Sequence, residues 1–241
     1  MNGFHAKAAL ASLALSLGGS QTISAPAPDG GLQPFTAHFV AEWKGIGVAS
    51  SDLMLKRDTT PGQWVYTWRI TAHGIFRLVY SDDLVQKSWF TLNSDHVRTS
   101  KYVASEGSQE VKLDFDWDAH VAKGSSQGKP LALALEDNTQ DVLSIQIEVM
   151  QDLRNGTLPP KFSIVDKDEV KEFLYSREGT ERLRTSLGVL DTVKIASQRE
   201  GNNRILHMWF APSLGFAPVQ AERTRDGKSE FAMRIKTLDR Q

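Results

Sequence analysis

The 241-residue chain contains no cysteine. That absence excludes disulfides, zinc–thiolate centres, cysteine nucleophiles and a lipid-modified N-terminal cysteine. An excess of charge of either sign is missing as well. The 28 Lys and Arg residues nearly balance 29 Asp and Glu, for a net charge of −1. Such a balance leaves no footprint for nucleic acid or for an anionic membrane surface. Long hydrophobic runs are absent too. The apolar stretch from Ala8 to Leu17 is too short to span a bilayer. No internal repeat, low-complexity run or cofactor motif is visible.

What is present begins with an export signal. His5 and Lys7 precede the apolar stretch, and small residues lead up to Ser20 and to Ser24. Residues 1–24 therefore read as a signal peptide, with an ordinary N-terminal helix as the alternative. Its removal takes one lysine and no acid, leaving 27 basic against 29 acidic residues, a net charge of −2. An exported chain without disulfides fits a bacterial periplasm, and the mature chain is expected to be soluble. Residues 25–34, rich in Pro and Gly, read as a disordered lead-in. Residues 35–241 read as a single β-rich domain.

Within that domain two-residue alternation dominates, the period of a strand with one buried face. Phe35, Ala37, Phe39, Ala41 and Trp43 share a face, and Gly45 and Gly47 break or bulge the strand. Trp64, Tyr66, Trp68, Ile70 and Ala72 share another. Residues 97–105 and 109–117 form an expected hairpin, and 124–130 an expected polar loop. Residues 162–200 return to strand character in shorter pieces, among them 170–176 and 181–185. Residues 139–154 carry the one strong helical pattern, with Asp137 or Asn138 as cap and Asn155-Gly156 as its end. The stretch His207–Val219 is a strand that stops, turns and restarts: Pro212 removes a ladder donor, Gly215 permits a left-handed turn, and Pro218 opens the next strand. These elements predict a mainly β fold. A large curved antiparallel sheet would form an open barrel or roll, with the helix packed on it.

Several pieces, taken in order, resemble the bacterial domain-of-unknown-function family 3108. They are Trp43-Lys-Gly-Ile-Gly-Val-Ala49, Val111-Lys-Leu-Asp-Phe-Asp-Trp117, Asp141-Val-Leu-Ser144 and Glu181-Arg-Leu-Arg-Thr-Ser-Leu-Gly188. Trp209-Phe-Ala-Pro212 follows, then Pro218-Val219 and Asp226-Gly227. The resemblance covers residues 35–238 and implies an exported, mostly β protein. It carries no catalytic residues. Asp141, Ser144, Trp209, Pro212, Gly215 and Pro218 enter as structural marks of the motif.

Candidate chemistries are sparse. Gly124-Ser-Ser-Gln-Gly128 matches the G-x-S-x-G pattern, which would make Ser126 the nucleophile of an envelope hydrolase with His207 as base. That chemistry needs a strand-to-helix turn, and Pro130 follows instead. Asp114, Asp116 and Asp118 imitate the start of a calcium loop, but Ala119 and Ser125 stand where a Gly and a bidentate Glu are needed. Gly45-Ile-Gly47 lacks the helix a dinucleotide site requires. None of the six histidines lies two to four positions from another, so no local metal signature exists. The aromatic strand face of Trp64, Tyr66 and Trp68 is either core or the lining of a groove for a lipid or other amphiphile. Three functional readings follow: a non-enzymatic binding or accessory protein for an apolar ligand or an envelope protein partner, a hydrolase using Ser126, and an assembly factor that pairs through a sheet edge.

Overall fold

The structure is a computed structural model that describes residues 31–94 and 96–240. The expected signal peptide and most of the expected lead-in lie outside the described residues. The chain opens with a meander. Its strands are β1 (Phe35–Trp43), β2 (Ile46–Arg57), β3 (Trp64–Ala72), β4 (Leu84–Asn93), β5 (His96–Glu106), β6 (Gln109–Asp116), β7 (Val121–Ser126) and β8 (Lys129–Ala134). A single short helix, α1 (Phe76–Val79), interrupts it between β3 and β4. Next come β9 (Gln140–Asp141) and the main helix α2 (Ser144–Asn155). A second meander follows: β10 (Lys161–Asp166), β11 (Glu169–Thr185), β12 (Gly188–Arg199), β13 (Arg204–Ala211), β14 (Ala217–Arg225) and β15 (Lys228–Arg240).

All fifteen strands join one sheet, in the order β8-β7-β6-β5-β4-β3-β2-β1-β15-β14-β13-β12-β11-β10-β9. The chain therefore starts at the middle of the sheet and walks out to one edge. It crosses over through β9 and α2 to the other edge, then walks back until β15 pairs with β1. Every pairing is antiparallel except β9 with β10. The sheet curls but does not close. Asp141 at the far edge bonds to Ser88 on β4 and Thr99 on β5, so the two halves meet around the crossover. This is the expected open β-roll with one inserted helix.

Helix α2 lies in the mouth of that curl and is buried on almost every side. Leu143, Ile147 and Val149 are fully buried, and each contributes about 2 kcal/mol of apolar burial. The helix begins later than residue 139. Asp141, rather than Asp137 or Asn138, caps it. Its Oδ1 accepts the N–H groups of Leu143 (2.8 Å) and Ser144 (2.9 Å), while Ser144 Oγ accepts the N–H of Asp141 (2.9 Å). This is a reciprocal capping box made by Asp and Ser. Residues 139–141 escape the helix because Gln140 and Asp141 bond to the sheet instead, while Thr139 closes a turn with Glu136. Gly156, left-handed at φ 74°, ends the helix as expected.

Other boundaries differ for local reasons. Residues 124–130 are not a loop but the tip of the β7–β8 hairpin, turned at Gln127 (φ 50°) and Gly128 (φ 75°). Residues 169–185 form one strand, with a register shift between Arg177 and Gly179 that keeps it paired to β12 from Phe173 to Thr185. The expected bulge at the start of β2 is present: Ala41 pairs with Ala49 and Glu42 with Gly47, leaving Val48 as the extra residue.

Candidate functional site

One face of β3 passes through three environments. Trp64 and Tyr66 are fully buried in the core, and the Tyr66 hydroxyl donates to Gln146 Oε1 of α2 (3.2 Å). Burial alone raises the Tyr66 pKa. Trp68, two residues on, lines an apolar cleft of about 230 Å³ together with Phe39, Leu53, Leu206, Met208, Phe231 and Met233. Its indole N–H donates to the buried Ser51 Oγ (2.7 Å), which fixes the ring. Ile70 and Ala72, at the outer end of the face, line a second cleft of about 340 Å³ with Trp43, Val48, Ala49, Phe76, Tyr80, Leu84 and Phe231. Phe231 belongs to both clefts. Of the three aromatic candidates, Trp64 and Tyr66 are core and only Trp68 reaches a cleft. The period of two that groups them also holds Ile70 and Ala72, the outer lining.

The rim of the larger cleft is unusually apolar. It is made by the segment between β3 and β4, in which Ile75 is 72% exposed, Leu78 83% and Val79 73%. Trp43 packs edge-on against Phe76, with ring centroids 6.4 Å apart. Asp82 and Glu106 supply acids at the same cleft. The segment is held at its base by Asp83, which accepts from Arg77 Nη1 (2.7 Å) and Arg69 Nη1 (2.9 Å). The Arg77 hydrogen bond, with help from Arg69, holds the Asp83 carboxyl below its usual range. Clustered exposed hydrophobics of this kind mark interaction surfaces rather than ordinary solvent-facing structure.

Beneath α2 runs a chain of buried acids. Asp141 is fully buried and accepts four hydrogen bonds: two from the helix start, one from Ser88 Oγ (2.6 Å) and one from Thr99 Oγ1 (3.2 Å). Burial raises its pKa, while the hydrogen bonds from Ser88, Ser144 and Leu143 pull the other way. Glu148 spans from the helix to β5. Its Oε2 accepts the Val97 N–H (2.6 Å) and its Oε1 lies 2.7 Å from His96 Nδ1. Asp152, one turn further, is pushed up to about 6 by burial and by the neighbouring Glu148 charge. The sequence signal for Glu148 and Asp152 was acids at i and i+4 on a helix with a broad apolar face. It has no meaning until β5 is placed beside that helix.

The remaining candidates fall elsewhere. Ser126 ends β7 and pairs with Lys129 across a hairpin tip, so no helix follows it. No histidine lines the cleft that Ser126 borders. His207 stands on β13, with Nε2 3.5 Å from Glu178 of β11. Gly124 has a packing reason: a Cβ there would sit 1.9 Å from the Lys112 carbonyl oxygen on β6. Asp114 and Asp116 are exposed on β6, as a solvent face requires, and Asp116 accepts the Ala119 N–H in the turn that follows. Trp209 is buried, its indole donating to Glu181 Oε2 (2.7 Å). Pro212 starts a single 3-10 turn that Gly215 closes at φ 63°. Pro218 sits beside a register shift of the β13–β14 ladder, where a missing donor is tolerated.

A family model described as a protein of unknown function, DUF3108, matches residues 35–234. No curated protein matches the chain. Two solved structures resemble it at 10% identity, each over 86% of this chain and 96% of its own. One is a candidate exported protein with a YmcC-like fold from Bacteroides fragilis, at a TM-score of 0.38. The other is a candidate lipoprotein from Parabacteroides distasonis, at 0.35.

Proposed function

The chain belongs to the DUF3108 family, and for this member we propose a non-enzymatic periplasmic binding or accessory role in which the apolar clefts hold the apolar tail of an amphiphile. The observation that carries this reading is the pair of apolar clefts that share Phe231 in their walls, with an exposed apolar rim at the outer one. Ligand sites are mostly apolar concavities with a few polar groups that orient the occupant. Here the polar groups divide between the two clefts: Asp82 and Glu106 at one, Gln146, Gln220 and the exposed Arg223 at the other. That distribution suits a molecule with an apolar body and a polar end.

The test is native mass spectrometry and lipid extraction of the protein purified from its own periplasm. An acyl-chain compound should co-purify, and Ala72→Trp, which fills the outer cleft, should lower its retention at least tenfold while leaving the circular dichroism spectrum unchanged. A ligand-free protein that takes up no fluorescent fatty acid, or an Ala72→Trp variant that binds like the wild type, overturns the proposal. A second reading rests on the open sheet, whose strand β8 has no further strand beside it among the described residues. In that case the same spectra would contain a stoichiometric protein partner instead.

A further inference from the structure

We propose that His96, Glu148 and Asp152 form a divalent-cation site, of the zinc type, that ties α2 to the start of β5. One ring nitrogen of His96 and one oxygen from each carboxylate lie within 4.8 Å of one another. A tetrahedral ion with bonds of about 2.0–2.2 Å needs donors about 3.4 Å apart, so the exposed imidazole, now 2.7 Å from Glu148 Oε1, moves back from that oxygen as the ion enters between the donors. The two acids are placed for this by helical geometry, since i and i+4 lie one above the other on the same face.

The arrangement is more than a group of acids. Both carboxylates are buried, Glu148 to 5% exposure and Asp152 to 3%. Among the described residues, His96 is the only basic side chain that bonds to either of them. Asp152 Oδ1 accepts from Thr157 Oγ1 (3.2 Å), but Oδ2 is buried with no hydrogen-bond partner. A buried carboxylate oxygen without a donor is costly unless something positive reaches it. The His96 side chain is 67% exposed, which leaves a path from solvent. Imidazole nitrogen with carboxylate oxygen is a zinc donor set, and three protein ligands leave a fourth position for water. On binding, the cation takes the place of the hydrogen between His96 Nδ1 and Glu148, so the neutral imidazole presents its Nδ1 lone pair to the ion and carries its hydrogen on Nε2. The site lies apart from the apolar clefts, none of whose lining residues it uses.

The experiment is calorimetric titration of Zn²⁺ into the full chain after dialysis against EDTA, with thermal melting in parallel. One ion should bind per chain and raise the melting temperature. Asp152→Asn, which keeps its shape and its Thr157 contact, should weaken binding at least tenfold, and His96→Ala likewise. His38→Ala, which removes a surface imidazole paired with Asp52, should leave affinity unchanged. Absence of binding, or variants of Asp152 and His96 that bind as the wild type does, overturns the proposal, because the ion would then sit on surface histidines only.

Discussion

Asp141 shows how one side chain can join local and distant structure. Four donors converge on a fully buried carboxylate, two from its own helix and two from strands β4 and β5. Asp141→Ala should destabilise the protein by about 4 kcal/mol, because it removes a cap and strands buried hydroxyls. Asp141→Asn, itself a good cap, should cost about 1 kcal/mol, and urea denaturation separates the two. The pH dependence has a definite sign. Burial raises the folded-state pKa above 3.8, so the proton-linked stability is fully present below the unfolded value and is lost as pH rises through the folded one. The margin of the wild type over Asp141→Asn should therefore narrow as pH is raised from acid towards neutral. Gly124 carries a similar lesson at smaller cost. A glycine that imitates a hydrolase motif is there because the neighbouring strand leaves no room for a Cβ.

The segment between β3 and β4 is the element on which the proposed ligand site depends. It is apolar, exposed and only four residues helical, too short to hold itself together. Its anchor is Asp83 between Arg77 and Arg69. Asp83→Asn should leave the sheet intact but speed chymotryptic cleavage at Leu78 and Tyr80 several-fold. In the wild type the same loosening should appear in acid. The folded-state pKa of Asp83 is lowered, so its contribution is present above 3.8 and lost as pH falls through the lower folded value. Hydrogen exchange across residues 75–83 checks this. Unchanged cleavage in the variant would mean that the segment is held by Phe76 and Trp43 alone.

For the whole molecule, the out-and-back topology determines where interaction surfaces can lie. A sheet with two ends leaves edges to manage. At one end β9 covers part of β10 and is itself buried. At the other, β8 carries Lys129 and Pro130 at its start, a charge and a missing donor, and it comes close to β11 as the sheet curls. Replacing both residues with threonine should remove that protection. Light scattering after size exclusion should then show a higher-mass species that the wild type lacks. If the mass is unchanged, the approach of β11 is what guards the edge.

The sequence by itself determined what depends on near neighbours. Alternation along β1, β3 and β6 marked the strands and their buried faces. Asn155-Gly156 marked the helix end, and Pro212 with Gly215 marked a corner, because backbone geometry restricts such residues locally. The face that holds Trp64, Tyr66 and Trp68 was legible for the same reason. Which of them is core and which lines a cleft was not. That depends on where α2 lies, and a two-residue period is the same under a helix as beside a groove. Only the tertiary structure decided that Asp141 also ties the helix start to the sheet, since two of its four donors come from strands more than forty residues away in the chain. Likewise, His96 meets Glu148 and Asp152 only because the crossover returns the chain across the curled sheet. Contacts of that separation leave no periodic trace in the sequence, and they are the ones that shape both candidate sites.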